Sequence, residues 1–401
     1  MMNNSVVFAA AGNGKTYSIC KEAITLAAKS KKYIYMVTYT NEGVRSLERE
    51  YKKQNFGILD QNVVITTWYS FLLSELIRPY QCTLQLKYKY FKKELSATIP
   101  QNHIKSIAFY QDNDDLRWYN NKHYQYFFNS ARDIRKDNVS NLACRCITDS
   151  KGLVISRLES LCSHIFFDEL QDYAGWDLEV FLHLFASGIA VKCVGDYKQA
   201  TFRTNNSPKN KQYRDEGIRN FFVAQQKKGL CSIAYENTTR RFNQEICNYI
   251  NCIHADPNAV ITTADDPDCV QNAENSGVYI VAEEYMEAYC NYYTPTILRY
   301  QKNSSIPFAH NCYVTNYGNS KGATYDRVVI IPVGTVVPFI TAQTKIVKDQ
   351  TRSKFYVACT RAKHSIVFVL KEPKSSTLFQ PVSLQLGGLS VPALKYKHQQ
   401  I

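Results

Sequence analysis

Residues Ser5–Ala10 form a short apolar run. The eight residues from Ala9 to Thr16 read Ala-Ala-Ala-Gly-Asn-Gly-Lys-Thr, and apolar positions then recur at helical spacing through Ala28. A buried-type strand that breaks into a small-residue loop and then a helix is a strong constraint. The strand needs a sheet covered on both faces, and the loop turns its backbone N–H groups toward the helix N-terminus, where phosphate oxygens can sit. In that arrangement Ala11, Gly12, Asn13 and Gly14 form the cradle, Lys15 neutralises the β and γ phosphates of a nucleotide, and Thr16 holds Mg²⁺. Ala9 stands where the usual pattern begins with Gly, so the loop by itself leaves the nucleotide open.

Further short apolar runs follow at Tyr33–Thr38, Val63–Thr67, His164–Phe167 and Ala190–Val194, separated by helical stretches such as Gly43–Lys53. A second set comprises Ser232–Tyr235, Val278–Val281, Cys312–Thr315, Arg327–Ile331 and Ser365–Leu370, with helices near Asn243–Ile253 and Thr351–Thr360. Strands alternating with helices predict an α/β fold with parallel sheets in two similar halves. The first half is expected at 1–77 and 154–231, and the second, with a C-terminal tail, at 232–401. Residues 78–153 are polar, aromatic and Lys-rich, with Lys87–Lys93 reading KYKYFKK, and are expected to form an inserted, mostly helical subdomain. Thr204–Gly229 reads as an exposed basic excursion, and the tail after Glu372 shows little pattern.

The run His164-Ile165-Phe166-Phe167 ends in Asp168-Glu169-Leu170-Gln171-Asp172. Adjacent carboxylates at a strand end suit a Walker B site, with Asp168 placed for Mg²⁺ and Glu169 placed to polarise an attacking water. A solvated acidic strand end is the competing explanation, and the phosphate loop in the same chain disfavours it.

Lys and Arg outnumber Asp and Glu by 48 to 35, a net charge of +13. A surplus of this size favours polyanionic partners, nucleic acid ahead of an anionic membrane surface, because phosphates release counterions on binding. The 13 cysteines, an odd number without a basic-then-apolar leader at Met1–Ser5, imply thiols in a reducing, cytoplasmic setting. Cys144-x-Cys146 and Cys247-x₄-Cys252 lack a second ligand pair at zinc spacing. The apolar stretch Val328–Ala342 is broken by Pro332, Gly334 and Pro338, so no membrane span is expected. No nuclease-like cluster of carboxylates and Lys stands apart from the motifs above.

The order of the remaining segments resembles the UvrD/Rep/PcrA group of superfamily 1 helicases over nearly the whole chain. Thr38-Tyr39-Thr40-Asn41 is similar to motif Ia, Thr66-Thr67-Trp68-Tyr69-Ser70-Phe71 to motif Ib, and Asp168–Asp172 to motif II. Val194-Gly195-Asp196-Tyr197-Lys198-Gln199 resembles motif III, Thr239-Arg240-Arg241-Phe242 motif IV, Asn316–Tyr325 motif V, and Tyr356–Ala362 motif VI. The resemblance implies two RecA-like P-loop NTPase domains, ATP and Mg²⁺ in the cleft between them, and 3′→5′ translocation on single-stranded DNA. It makes Gln199 a γ-phosphate sensor and Arg241 and Arg361 arginine fingers, assigns Gly322 and Thr324 to the nucleotide, and lays Tyr39, Asn41, Trp68, Tyr69, Phe202 and Asn316 along the strand.

Departures from that pattern carry expectations of their own. The phosphate loop begins at Ala9, leaving no room upstream for the family's adenine-reading Gln. Tyr17 and Arg240 exchange the family's Arg and Tyr around the base, which implies a swapped sandwich. Gly318 and Thr324 replace a frequent His and Glu, and Arg203-Thr204-Asn205 follows Phe202 where a Trp is usual. Arg241 and Lys321 are 80 positions apart, too close for the family's large regulatory insertion. A pared-down motor of this kind points to a protein partner such as a nuclease. The rival reading is a nucleotide-gated DNA sensor or regulatory ATPase subunit of a nuclease complex, of the sort found in phage defence. Either way, affinity for single-stranded DNA should fall about 300-fold between roughly 50 and 200 mM salt if about six phosphates are contacted. A salt-independent affinity in a filter-binding titration would contradict the charge argument.

Overall fold

The computed structural model describes residues 3–90, 93–97, 99–109, 118–265, 273–300 and 306–397. The chain folds as two compact units. The first comprises Met1–Phe8, Lys15–Tyr197 and Phe202–Ala234, and the second Ala9–Gly14, Lys198–Thr201 and Tyr235–Ile401. No helix among the described residues is long and apolar enough to cross a membrane.

The strands of the first unit are β1 (Ser5–Ala9), β2 (Tyr33–Thr38), β3 (Val63–Thr67), β4 (Leu86–Tyr90), β5 (Lys93–Ala97), β6 (Ile107–Ala108), β7 (Ile134–Arg135), β8 (Cys162–Phe167), β9 (Ala190–Gly195) and β10 (Ser232–Glu236). Its helices are α1 (Lys15–Ala27), α2 (Asn41–Gln54), α3 (Trp68–Phe71), α4 (Tyr124–Phe127), α5 (Val139–Asp149), α6 (Leu153–Leu161), α7 (Asp177–Phe185) and α8 (Ile218–Lys227). A six-stranded sheet runs in the order β10-β1-β9-β8-β2-β3, and β1, β9, β8, β2 and β3 pair in parallel. Val6, Met36, Ile165 and Cys193 are fully buried, as continuous apolar strands between helical layers require. The cap of α2 is local chemistry: Gly43 N–H donates to Thr40 Oγ1 at 3.0 Å.

The second unit contains β11 (Thr238–Thr239), β12 (Thr262–Thr263), β13 (Gly277–Ala282), β14 (Thr296–Arg299), β15 (Val314–Asn316), β16 (Tyr325–Ile331), β17 (Ala362–Leu370), β18 (Phe379–Leu386) and β19 (Leu389–Tyr396). Its helices are α9 (Gln244–His254), α10 (Met286–Tyr293), α11 (Val337–Ala342) and α12 (Asp349–Cys359). The main sheet runs β15-β14-β16-β17-β13-β19-β18, parallel except where β19 joins β13 and β18. Alternation divides its two faces. Val278, Ile280, Val328 and Ile366 pack with α9, α11 and α12, whereas Tyr279, Val281, Val329 and Val367 pack with α10 and the β18–β19 hairpin. The α/β class with parallel sheets agrees with the sequence reading.

Three local expectations need correction. Among its described residues the segment 78–153 is not mostly helical: β4 and β5 form an antiparallel hairpin, β6 and β7 pair in parallel, and α5 is the one described helix longer than a single turn before Leu153. The alternation Lys87-Tyr88-Lys89-Tyr90 has period two, which favours a strand; Phe91 and Lys92 lie outside the described residues. The stretch after Thr204 is no exposed excursion. Thr204 and Asn205 are buried, and Ile218, Phe221, Phe222 and Gln225, spaced i, i+3, i+4 and i+7, form the buried face of α8. The tail carries the β18–β19 hairpin, turned by Gly387 and Gly388 with φ of 58° and 97°, the positive values a two-residue hairpin turn requires.

The first unit is tied by a buried carboxylate at the start of α7. Asp177 Oδ1 accepts from Trp68 Nε1 at 2.9 Å and from Ser140 Oγ, while Oδ2 accepts from Ala174 N–H at 3.2 Å and from Thr204 Oγ1. Burial raises the Asp177 pKa, and the donors from Ser140, Thr204, Trp68 and Ala174 pull it back down. Removing it takes the acceptor from Trp68 Nε1–H and Ser140 Oγ–H in the interior, whereas Thr204 Oγ1 keeps Asp172 O and Ala174 N–H keeps Thr204 Oγ1. Asp177→Ala should lower unfolding stability by about 2–4 kcal/mol in urea denaturation, whereas the exposed Glu42→Ala should stay within about 0.5 kcal/mol of the parent.

Candidate nucleotide-phosphate site

The parallel pairing places the carboxyl ends of β1, β9 and β8 side by side, with Phe8 opposite Gly195 and Phe167 opposite Cys193. In open α/β sheets the crevice beyond those ends is where ligands bind. Within the first unit, α1 begins at Lys15 there and β8 delivers Asp168 and Glu169. Asp168 N–H donates to Val37 O at 2.9 Å, which fixes the carboxylate at the strand end. Its Oδ1 accepts from Glu169 N–H at 2.8 Å and its Oδ2 from Thr16 Oγ1 at 3.2 Å. Burial, and then the charge of Glu169, push the Asp168 pKa up to about 6, against the pull of the Glu169 N–H, Lys15 and Thr16.

A hydroxyl and a buried carboxylate in contact are hard oxygen donors of the kind Mg²⁺ selects. Two cis ligands of an octahedral Mg²⁺ lie about 2.9 Å apart, close to the observed Thr16–Asp168 spacing. The residues therefore fit the ion expected of them.

Glu169 adopts a left-handed backbone conformation with φ of 55°. Its carboxylate accepts a hydrogen bond from Gln171 Nε2, and Gln171 Oε1 accepts from Asp196 N–H at 3.0 Å. A Cβ on Gly195 would lie 2.6 Å from Gln171 Oε1 and 2.7 Å from Leu170 Cβ, so only glycine lets β9 approach this closely. Gln171 thus connects the ends of β8 and β9 and orients Glu169. Sequence reasoning gave it no role; its signal was the Gln two positions after Glu169 and the Gly195-Asp196 pair.

Residues Ala9–Gly14 pack with the second unit. Ala10 N–H donates to Glu236 O at 2.8 Å, Arg240 N–H to Gly12 O at 2.9 Å, Thr239 Oγ1 to Ala11 O at 2.7 Å, and Asn13 Nδ2 to Thr238 O at 3.0 Å. Gly12 and Gly14 have φ of 77° and 96°. Also in this unit, Arg361 is buried: it donates to Val357 O, Ala323 O, Thr360 Oγ1 and, at 3.2 Å, Gln199 Oε1. Arg241 Nη1 donates to Thr360 O at 2.7 Å. The structure therefore gathers Lys15, Thr16, Asp168 and Glu169 in one unit and Gln199, Arg241 and Arg361 in the other. Tyr17 is exposed in the first unit, while Arg240, Gly322 and Thr324 are exposed in the second.

Among the expected strand contacts, Trp68 and Tyr69 need correction. Trp68 has no exposed surface; its ring packs on Phe71, Phe167, Tyr173 and Phe181. Tyr69 is buried and donates to Thr204 O at 2.7 Å. Both are core residues, unable to stack on a base in this conformation. Tyr39 is half-buried against Tyr69, Asn41 is exposed at the start of α2, Phe202 is 45% exposed, and Asn316 pairs with Arg299 in the sheet.

No protein-family model matches this chain, and no curated protein matches it. Among solved structures it is similar to the PRRSV helicase (12% identity, TM-score 0.44, 100% of this chain and 61% of that one). It is also similar to Arterivirus nonstructural protein 10, a helicase, in complex with DNA (11%, 0.44, 91% and 60%) and alone (12%, 0.43, 91% and 59%). The chain spans about three fifths of the length of these structures.

At Gly12 a Cβ would sit 2.6 Å from both Arg241 Cβ and Thr239 Oγ1, in a conformation that side chains disfavour. Gly12→Ala should lower stability by about 1–3 kcal/mol in thermal unfolding, and an unchanged midpoint would show that the loop is not held as described.

Proposed function

We propose that this chain is a Mg²⁺- and ATP-dependent motor of the UvrD/Rep/PcrA type that translocates 3′→5′ on single-stranded DNA. The observation that carries the reading is the contact of Thr16 with Asp168 beside a Glu169 held in place by Gln171. In this reading the N–H groups of Ala11–Thr16 and the Lys15 ammonium bind the phosphates, and Thr16 and Asp168 hold Mg²⁺. Glu169 takes the proton of the attacking water, and Gln199 senses the γ phosphate. Arg241 and Arg361 stabilise charge on the transferring phosphoryl. Tyr17 and Arg240 sandwich the base, while Gly322 and Thr324 line the nucleotide. Tyr39, Asn41, Phe202 and Asn316 remain as strand contacts, and the basic surplus holds the phosphates.

The burial of Trp68 and Tyr69 favours a second reading, in which the same ATP chemistry gates a DNA sensor or a regulatory subunit bound to a nuclease. Fewer exposed aromatics leave fewer platforms for stepping along a strand. Directional displacement of streptavidin from a biotinylated DNA end separates motor from sensor.

The direct test is ATP hydrolysis by the purified chain with and without single-stranded DNA. Turnover should rise with DNA and vanish in Lys15→Ala. Glu169→Gln should bind nucleotide yet turn over at least about 100-fold more slowly. Gln171→Leu should lower kcat about tenfold or more with little change in KM, because it orients Glu169 without touching nucleotide. Parent-like turnover in Glu169→Gln would remove the general base, and turnover independent of Lys15 would overturn the ATPase reading.

A further inference from the structure

Residues from β4 to β7 line a half-open pocket of about 380 Å³, within the range of small-ligand pockets. Its wall is aromatic: Tyr88, Trp118, Tyr119, Tyr124 and Phe128, with Arg135 among them. Tyr124 and Phe128 stack with centroids 4.8 Å apart, whereas Tyr88 is tilted by 46° from Tyr124 at 5.9 Å.

The frame around the cavity is fixed by hydrogen bonds rather than by a ligand. Gln125 Nε2 donates to Lys89 O at 2.6 Å, and Lys89 N–H returns a bond to Gln125 Oε1 at 3.2 Å, which clamps the β4–β5 hairpin to α4. Lys87 N–H donates to Lys122 O at 2.8 Å. Arg135 is buried and donates to Gln125 O and Phe128 O, so its guanidinium belongs to the wall. Trp118, 68% exposed, and Tyr88, 41% exposed, present large rings to solvent at the rim, beside Lys89, whose ammonium reaches Trp118 O.

The buried Arg135 guanidinium in the wall and Lys89 at the rim disfavour a cationic guest, the usual occupant of an aromatic cage, while Lys87 is paired with Glu94. The complementary guest is flat, π-faced and attached to negative charge. We propose that this pocket binds an unstacked nucleobase of a single-stranded nucleic acid, the base lying against Trp118 and Tyr88 and its phosphates near the basic rim. The proposal rests on the nucleic-acid reading above and adds a site apart from the nucleotide-phosphate residues. The contact is sequence-tolerant, since every base offers a π face.

Fluorescence anisotropy of the full chain with a labelled oligothymidylate, and with an abasic strand of equal length, tests it. Tyr88→Ala and Trp118→Ala, checked for native thermal unfolding, should weaken oligothymidylate binding about tenfold each and leave abasic binding unchanged. Tyr90→Ala, exposed on the same hairpin but outside the wall, should bind both strands as the parent does. Equal losses on both strands, or no loss in either variant while the parent binds, would overturn the pocket and leave the nucleic-acid reading standing. A parent that binds neither strand would overturn both. Displacement of the strand by free thymidine monophosphate at equal base concentration would assign the pocket to free nucleotides and overturn its role on a strand.

Discussion

The parallel pairing of β1, β9 and β8 is the constraint on which the first unit's candidate site depends. Parallel strands must be joined by crossovers, so each returns with its carboxyl end at the same edge of the sheet. The start of α1, the Asp168-Glu169 pair and the Gly195-Asp196 turn therefore meet there, although more than 150 positions separate Thr16 from Asp168. The central strands are largely apolar and buried, so the carboxylates Asp168 and Glu169 stand at the strand end. The same burial that makes the strands apolar raises the Asp168 pKa and makes that carboxylate a good partner for a cation.

Smaller constraints refine the edge. Gly195 lets the main chain of β9 approach Gln171, and Gln171 then holds Glu169. In the second unit, Arg361 is fixed by bonds from three of its nitrogens to Val357, Ala323, Thr360 and Gln199, so its guanidinium geometry is set before any ligand arrives.

What could be read from sequence follows from how local the signals are. The strand-loop-helix of Ser5–Ala27, the strand ending at Phe167 and the helix Asp349–Cys359 each carry their pattern within about two dozen residues or fewer, and they form where expected. The Lys87–Tyr90 alternation and the Gly387-Gly388 turn were equally local, but polar surfaces and unfamiliar composition hid them. Trp68 and Tyr69 differ in kind. Whether an aromatic faces solvent or core depends on Asp177 and Thr204, more than 100 positions away, and no periodicity near Trp68 reports that. Gln171 was missed for the same reason, since its partner Asp196 comes from another strand.

A crystal structure of the chain with Mg²⁺, ADP and beryllium fluoride measures the Thr16–Asp168 arrangement most directly. The phosphates should lie at the start of α1, against Lys15 and Thr16, with Mg²⁺ held by Thr16 and Asp168 and a water beside Glu169. Nucleotide bound elsewhere, or Mg²⁺ bound away from both Thr16 and Asp168, would contradict the assignment of this edge of the sheet as the site of phosphoryl chemistry.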